Sequence, residues 1–180
     1  ALRLSLELGV GAPVAEALAP ALAAPAAAAL TAPILAEARR RAEIAAEQLA
    51  TLGPALEAAG VPAIALKGAA FAAAAGAPVP WRDMIDLDLL VPRAALSRAV
   101  QALGALGYAG EHAAHVATDY HYPVLLPPGP GLGVELHVAL GWRGVAPLAG
   151  LAARARPATL PGLRVPAPDD RLAHLVHHAQ

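Results

Sequence analysis

Two aspartates separated by one residue, Asp86 and Asp88, lie within the otherwise apolar run Ile85–Val91. Alternate side chains of a β-strand share a face, so these two carboxylates would lie on one side, roughly 6.6 Å apart along the strand. Carboxylates in an apolar strand are unfavourable unless they are paired or bind a metal ion. Because Mg²⁺ takes carboxylate oxygens and usually keeps positions for substrate phosphates, the pattern favours phosphoryl or nucleotidyl transfer.

Two other short motifs could meet the aspartates at one edge of a sheet. In Leu66-Lys67-Gly68, an expected strand turns into an expected helix, whose first N–H groups and nearby ammonium suit a phosphate. In Val134–His137, Glu135 and His137 share one strand face. If that strand lies beside the aspartate strand, Glu135 supplies a third carboxylate. Three carboxylates can hold two divalent ions that stabilise an in-line displacement.

The composition excludes several classes of protein. The 180 residues include no cysteine, which rules out disulfides, thiolate metal sites and a cysteine nucleophile. A formal net charge of −1 argues against a protein that binds long nucleic acid mainly by electrostatics. The apolar runs carry proline or charge, and the N-terminus lacks the pattern of a signal peptide. We therefore expect a cytoplasmic protein with no membrane partner.

The chain divides into three expected segments. Residues 1–58 have helical spacing, with one helix at Val14–Ala24 and another from Pro33, which we expect Gly53-Pro54 to break. Residues 61–142 are expected to form the catalytic core. Residues 143–180 are expected to form a loop and then the start of a C-terminal helical region. Because the sequence ends inside that last helix, it is consistent with a fragment of a longer protein.

The order of elements predicts the fold class. The core segment contains a strand at Val61–Leu66, the aspartate strand, and a hairpin of His121–Leu126 with Val134–Leu140. A helix is expected after each of the first two strands. This order predicts an α/β (α+β) fold, a mixed β-sheet with packed helices preceded by an N-terminal helical segment. We expect the helices on one face and the hairpin beside the aspartate strand.

Five motifs, in this order and spacing, resemble a known family. They are Leu66-Lys67-Gly68, Trp81-Arg82, Asp86–Val91, Gly107-Tyr108 and Val134–His137. Together they resemble the uncharacterised nucleotidyltransferase family, within the DNA polymerase beta-like nucleotidyltransferase superfamily. The resemblance implies a nucleotidyltransferase-like sheet and a Mg²⁺-dependent (or Mn²⁺-dependent) enzyme. Its implied reaction moves NMP from an NTP to a hydroxyl acceptor and releases pyrophosphate.

The resemblance implies roles for the three carboxylates. Asp86 and Asp88 match the paired metal-binding carboxylates of the family. Glu135 matches the third carboxylate, close to the attacking hydroxyl and a candidate acceptor for its proton. A simpler structural explanation for all three is an ordinary solvated strand face.

The resemblance also implies contacts with the nucleotide. Gly68 matches the glycine of the turn that faces the triphosphate, with Lys67 beside it. Arg82 stands where the family has an arginine before the aspartate strand and is expected to contact a phosphate. His137 matches a histidine of the family whose role the resemblance does not define. Ala69 follows Gly68, where the wider superfamily usually has serine or a second glycine, so no hydroxyl is available there for a phosphate.

Two other kinds of function fit the same sequence. One is a non-catalytic nucleotide-binding or protein-interaction module, antitoxin-like or regulatory, on the same fold. The other is a role for the Ala-rich N-terminal helices as a surface for a protein partner. Two motif residues also have a simpler structural explanation: Lys67 as a surface lysine at a strand end, and Arg82 as an ion-pair partner of Asp83 or Asp86.

Overall fold

The computed structural model describes residues 25–78, 84–110, 121–140 and 148–178. Five α-helices lie in these ranges: α1 (Pro25–Ala58), α2 (Lys67–Ala75), α3 (Leu96–Ala105), α4 (Leu148–Arg154) and α5 (Pro168–His178). The seven strands are β1 (Ala63–Ala65), β2 (Asp86–Leu90), β3 (Ala109–Gly110), β4 (Leu125–Leu126), β5 (Gly133–His137), β6 (Arg156–Pro157) and β7 (Leu163–Val165).

All seven strands form one mixed sheet, in the order β3-β4-β5-β2-β1-β7-β6. The central strand β2 is parallel to β5 and antiparallel to β1. β4 pairs antiparallel with β5, which confirms the expected hairpin and its place beside the aspartate strand. The predicted fold class, a mixed sheet with packed helices and an N-terminal helix, is confirmed.

The main hydrophobic core lies between this sheet and helices α1, α2 and α3. In β2, Leu87 and Leu89 are fully buried in this core, and Val134 and Leu136 of β5 are buried beside them. Because side chains alternate along a strand, the residues between these leucines and valines point to the opposite face. That face therefore carries Asp86, together with the three other polar residues of β2 and β5: Asp88, Glu135 and His137.

The expected break at Gly53-Pro54 is wrong, because α1 runs through both Pro33 and Pro54. A proline inside a helix removes one backbone hydrogen bond and costs about 3 kcal/mol. Leu49, Leu52 and Leu56 are fully buried along one stripe of α1, and this packing stabilises the helix on both sides of the proline. The same stripe is buried in the core of its own chain, so it is not available to a protein partner.

The expectation that the helices before the hairpin would lie on one face is correct for α1, α2 and α3, whereas α4, in a segment expected to be a loop, lies on the other face. Leu151 of α4 packs with Ile64, Leu66 and Leu90 in a smaller cluster on the opposite face of the sheet. Since Leu90 and Asp88 share that face of β2, α4 covers the apolar part of the surface that carries the acidic residues.

The segment after residue 147 contributes more structure than the expected loop. β7 pairs parallel with β1, and β6 pairs antiparallel with β7, so two strands from this segment extend the sheet. These strands have three and two residues, too short for a strand pattern to be distinguished in the sequence. The expected C-terminal helix is present as α5, with Asp169 and Asp170 in its first turn.

The helices of the described residues were also compared with the requirements for crossing a membrane. Among them, none is both long enough and apolar enough to do so.

We predict that two glycine substitutions will differ in cost. Gly162 has φ +73°, and a Cβ there would clash with the Gly53 carbonyl oxygen of α1. Gly60 has φ +66°, but a Cβ there would meet nothing within 4 Å. Gly60→Ala should lower the free energy of unfolding by about 1 kcal/mol, from backbone strain alone. Gly162→Ala should cost about 1–3 kcal/mol more, because α1 must move.

Urea denaturation of the two variants beside the wild type measures this difference. Equal losses of stability in the two variants would show that the contact between α1 and the turn before β7 is not tight.

Candidate active site

Two parallel strands position the acidic residues. β2 and β5 pair in a register that places Asp88 directly beside Glu135, and Leu90 beside His137. Asp86 is paired with Gly133 and lies on the same face as Asp88, one pleat earlier. The structure therefore brings together the three carboxylates that the sequence singled out, on the face that α1, α2 and α3 leave uncovered.

The turn from β1 into α2 reaches the same site. The backbone N–H of Leu66 donates a hydrogen bond to the carbonyl oxygen of Asp88, at 2.9 Å. Lys67 is the next residue, and its Nζ lies 2.8 Å from Asp88 Oδ1. Gly68 is buried in the first turn of α2. Since the first N–H groups of a helix have no partner within it, the start of α2 leaves backbone donors unpaired by the helix close to Asp88.

His137 completes the group around Asp88. Its Nε2–H donates to the same oxygen, Asp88 Oδ1, at 2.8 Å, and Nε2 lies 3.5 Å from Glu135 Oε2. The side chain of Asp88 is only 2% exposed. A carboxylate buried to this degree requires hydrogen-bonded cationic partners, and Lys67 and His137 supply them.

The three carboxylates differ in the direction in which their surroundings shift their pKa. Burial opposes ionisation of Asp88, but hydrogen bonds from His137 and Lys67 outweigh it and lower its pKa. The hydrogen bond from His137 likewise lowers the pKa of Glu135 against the effect of burial. Burial, followed by the nearby charges of Asp88 and Glu135, raises the pKa of Asp86. The ionised form of Asp86 is therefore less favourable in this site than that of a free carboxyl group.

The donor set fits a divalent cation. Asp88, Glu135 and His137 each offer a ligand atom, and these atoms all lie within 4.8 Å of one another. Carboxylate oxygens are what Mg²⁺ and Mn²⁺ bind, whereas His137 would become a ligand only after Nε2 gives up the proton that it donates to Asp88. Because the pKa of Asp86 is raised, a cation bound nearby would stabilise its ionised carboxylate.

The family pattern described as "Uncharacterised nucleotidyltransferase" matches residues 2–180. The chain belongs to this nucleotidyltransferase family. The resemblance drawn from the five motifs is thereby confirmed, and the match extends beyond the residues that carried those motifs.

The fold of this nucleotidyltransferase family member is also similar to a solved structure. The crystal structure of ANT(2")-Ia in complex with adenylyl-2"-tobramycin superimposes with a TM-score of 0.55 and 14% sequence identity. The similarity covers 74% of this chain and 75% of that chain. At this level of identity, the comparison shows a shared fold. A comparison with functionally characterised proteins gave no match.

In this nucleotidyltransferase family member, one predicted phosphate contact is not described by the structure, and one histidine lies beside the site without having been predicted there. Arg82, expected to contact a phosphate, lies outside the described residues. His121 was expected to begin a strand, but the strand covers only Leu125–Leu126, and His121 instead forms an isolated β-bridge with His137, with the two ring centroids 5.7 Å apart. The pairing joins residues on different elements, so no local pattern in the sequence indicates it.

We predict that His137 makes the stability of the metal-free protein depend on pH. Burial alone would lower its pKa, but hydrogen bonds to Asp88 and Glu135 raise it from 6.5 to about 8. Because its pKa is higher in the folded protein, protonation of His137 stabilises the fold. The full stabilisation is present at a pH below the pKa of the unfolded state and is lost as the pH rises above the pKa of the folded state. The free energy of unfolding should therefore fall by about 2 kcal/mol as pH rises from 6 to 9.

Urea denaturation at both pH values, in wild type and in the His137→Asn variant, separates this effect from that of other groups. Between the two pH values, the free energy of unfolding of the variant should fall less than that of the wild type, by the contribution of His137. An identical pH dependence in the two proteins would contradict the hydrogen-bond geometry described above.

Proposed function

We propose that this protein is a divalent-cation-dependent nucleotidyltransferase that moves NMP from an NTP to a hydroxyl acceptor and releases pyrophosphate. The observation that carries the proposal is the cross-strand pair Asp88–Glu135, with Asp86 on the same face and the start of α2 beside it. Membership of the nucleotidyltransferase family supports the class of reaction.

In this proposal, Asp86, Asp88 and Glu135 hold Mg²⁺ or Mn²⁺. When bound, the cation would lower the pKa of the acceptor hydroxyl and balance the charge of the triphosphate. Glu135 has a lowered pKa and is ionised at neutral pH, so it can accept a proton from the acceptor hydroxyl. His137 donates its Nε2–H to Asp88 and lies 3.5 Å from Glu135 Oε2, and in this proposal it orients the Asp88 carboxylate.

The nucleotide would bind where β1 turns into α2. Backbone N–H groups at the start of a helix and an adjacent ammonium suit a phosphate, so Gly68 and Lys67 are the proposed phosphate contacts. Arg82, which precedes the aspartate strand in sequence, is proposed as a third contact. Catalysis would then rest on positioning and on electrostatic stabilisation of the charge that develops on the phosphates.

The acceptor is a molecule with a free hydroxyl. The complex of the structurally similar ANT(2")-Ia holds adenylyl-2"-tobramycin, in which an adenylyl group is attached to an aminoglycoside. An aminoglycoside is therefore the first acceptor class to test with this protein.

A non-catalytic nucleotide-binding module is the second candidate, and one observation favours it. Ala69 follows Gly68, so the first turn of α2 lacks a side-chain hydroxyl for a phosphate. The two candidates differ in a measurable way, because both predict cation-dependent nucleotide binding but only the enzyme predicts turnover.

We predict that Asp88→Asn will lower NMP transfer by at least about a thousandfold, because the cation loses a charged ligand worth several kcal/mol in the transition state. The assay uses each of the four NTPs labelled at the α-phosphate, with tobramycin and other hydroxyl acceptors, and follows labelled product and pyrophosphate. Asp170→Asn is the matched control. Its carboxylate pairs with Arg154, at 2.6 Å, outside the acidic group, so its activity should match the wild type.

A folded Asp88→Asn protein that keeps its transfer activity would contradict the proposal. Cation-dependent nucleotide binding by the wild type without turnover of any NTP would instead support the non-catalytic candidate.

A further inference from the structure

The chain contains a single lysine. Of its 13 Lys and Arg residues, 12 are arginines, and the lysine is Lys67. This one ammonium lies 2.8 Å from Asp88 Oδ1, while its side chain is 19% exposed. An ammonium is a compact point charge on a flexible stem, whereas a guanidinium is a planar fork that holds carboxylates in a fixed geometry. Lys67 is therefore the basic residue best able to leave a carboxylate and return to it.

The backbone at Lys67 has an unusual conformation for this residue type. Its φ is +43°, and Lys67 is the only non-glycine residue with positive φ in the described part of the chain. A side chain in the left-handed region costs roughly 1–2 kcal/mol, and glycine would avoid that cost. Lys67 thus combines this backbone conformation with the contact to Asp88, between the end of β1 and the second residue of α2.

Lys67 and a divalent cation would need the same carboxylate. Asp88 is 2% exposed, and its Oδ1 already accepts contacts from both Lys67 and His137. A cation bound by Asp88 therefore meets an ammonium directly beside its ligand oxygen, and two positive charges a few ångströms apart repel each other strongly where water is excluded.

We propose that Lys67 is an exchangeable counterion: its ammonium occupies the cation position on Asp88 in the metal-free protein and is released to the triphosphate when the cation binds. This inference rests on the proposed function. It adds that the cation and the nucleotide bind with positive coupling, because the released ammonium at the start of α2 is stabilised by the phosphates. Such coupling is reciprocal, so nucleotide must also tighten the binding of the cation.

Because Lys67 is the only lysine, lysine labelled with ¹³C at Cε gives one NMR signal for the side chain in the wild-type protein. In the metal-free protein, the two ε protons should have different shifts, because the ammonium is held on Asp88. Saturating Mg²⁺ should merge them, as for a freely moving lysine, and a non-hydrolysable NTP should separate them again. Asp88→Asn should show the merged signal without metal.

Binding of Mn²⁺ to variants gives an independent measurement. Lys67→Met removes the competing charge and keeps an unbranched side chain as far as Cε, so Mn²⁺ should bind at least about tenfold more tightly in the absence of nucleotide. The tightening of Mn²⁺ binding by a non-hydrolysable NTP should shrink by a similar factor. Arg40→Met is the matched control. It removes one charge from the exposed surface of α1, where Arg40 pairs with Glu37, and should leave Mn²⁺ affinity unchanged.

The outcomes are distinct. Unchanged or weaker Mn²⁺ binding in a folded Lys67→Met protein, or a Lys67 signal that does not respond to saturating Mg²⁺, would overturn the exchange while leaving the proposed function intact. Failure of the wild type to bind Mn²⁺ or Mg²⁺, with or without NTP, would overturn both. If Lys67→Met does not fold, the NMR signal of the wild type decides the question alone.

Discussion

The burial of one carboxylate, that of Asp88, organises the part of the fold that concerns function. A side chain that is 2% exposed cannot hold a negative charge without compensation, because transfer of an ion out of water is very costly. The compensation comes from Lys67 and His137, each 2.8 Å away and each on a different element. Asp88 thus links the β1–α2 turn, β2 and β5 through a single atom. Removal of the Lys67 or the His137 side chain would leave the buried charge of Asp88 poorly balanced. The three elements therefore have to keep their relative positions.

The sheet separates stability from chemistry. One face packs against α1, α2 and α3 and holds nearly all of the large buried side chains. The other face carries Leu90 under α4 and, one pleat away on the same strand, Asp88. This separation lets the acidic face change without loss of the core, in keeping with the general rule that function lies in sites placed on shared folds. The fold is shared with ANT(2")-Ia at 14% identity, and the chemistry of this protein depends on the side chains of its own acidic face.

The sequence predicted the parts of the structure that depend on local patterns. The alternation around Asp86 and Asp88 fixes their common face, and the hairpin signal placed β5 beside β2. The parts it could not predict depend on contacts between distant residues. Pro54 reads locally as a helix break, but the stripe formed by its buried neighbours keeps α1 continuous. Likewise, the place of His137 on Asp88 follows from strand register, which brings together residues 49 positions apart.

X-ray diffraction from crystals grown with Mn²⁺ and a non-hydrolysable NTP, recorded at a wavelength where manganese scatters anomalously, would show whether the acidic face binds a cation. We expect anomalous density within about 2.2 Å of carboxylate oxygens of Asp86 and Asp88, since Mn²⁺ is a hard cation that binds oxygen ligands. We also expect Lys67 Nζ to have left Asp88 Oδ1 for a phosphate. Density bound at other residues, or bound nucleotide with Lys67 still paired with Asp88 and no manganese beside it, would contradict the account.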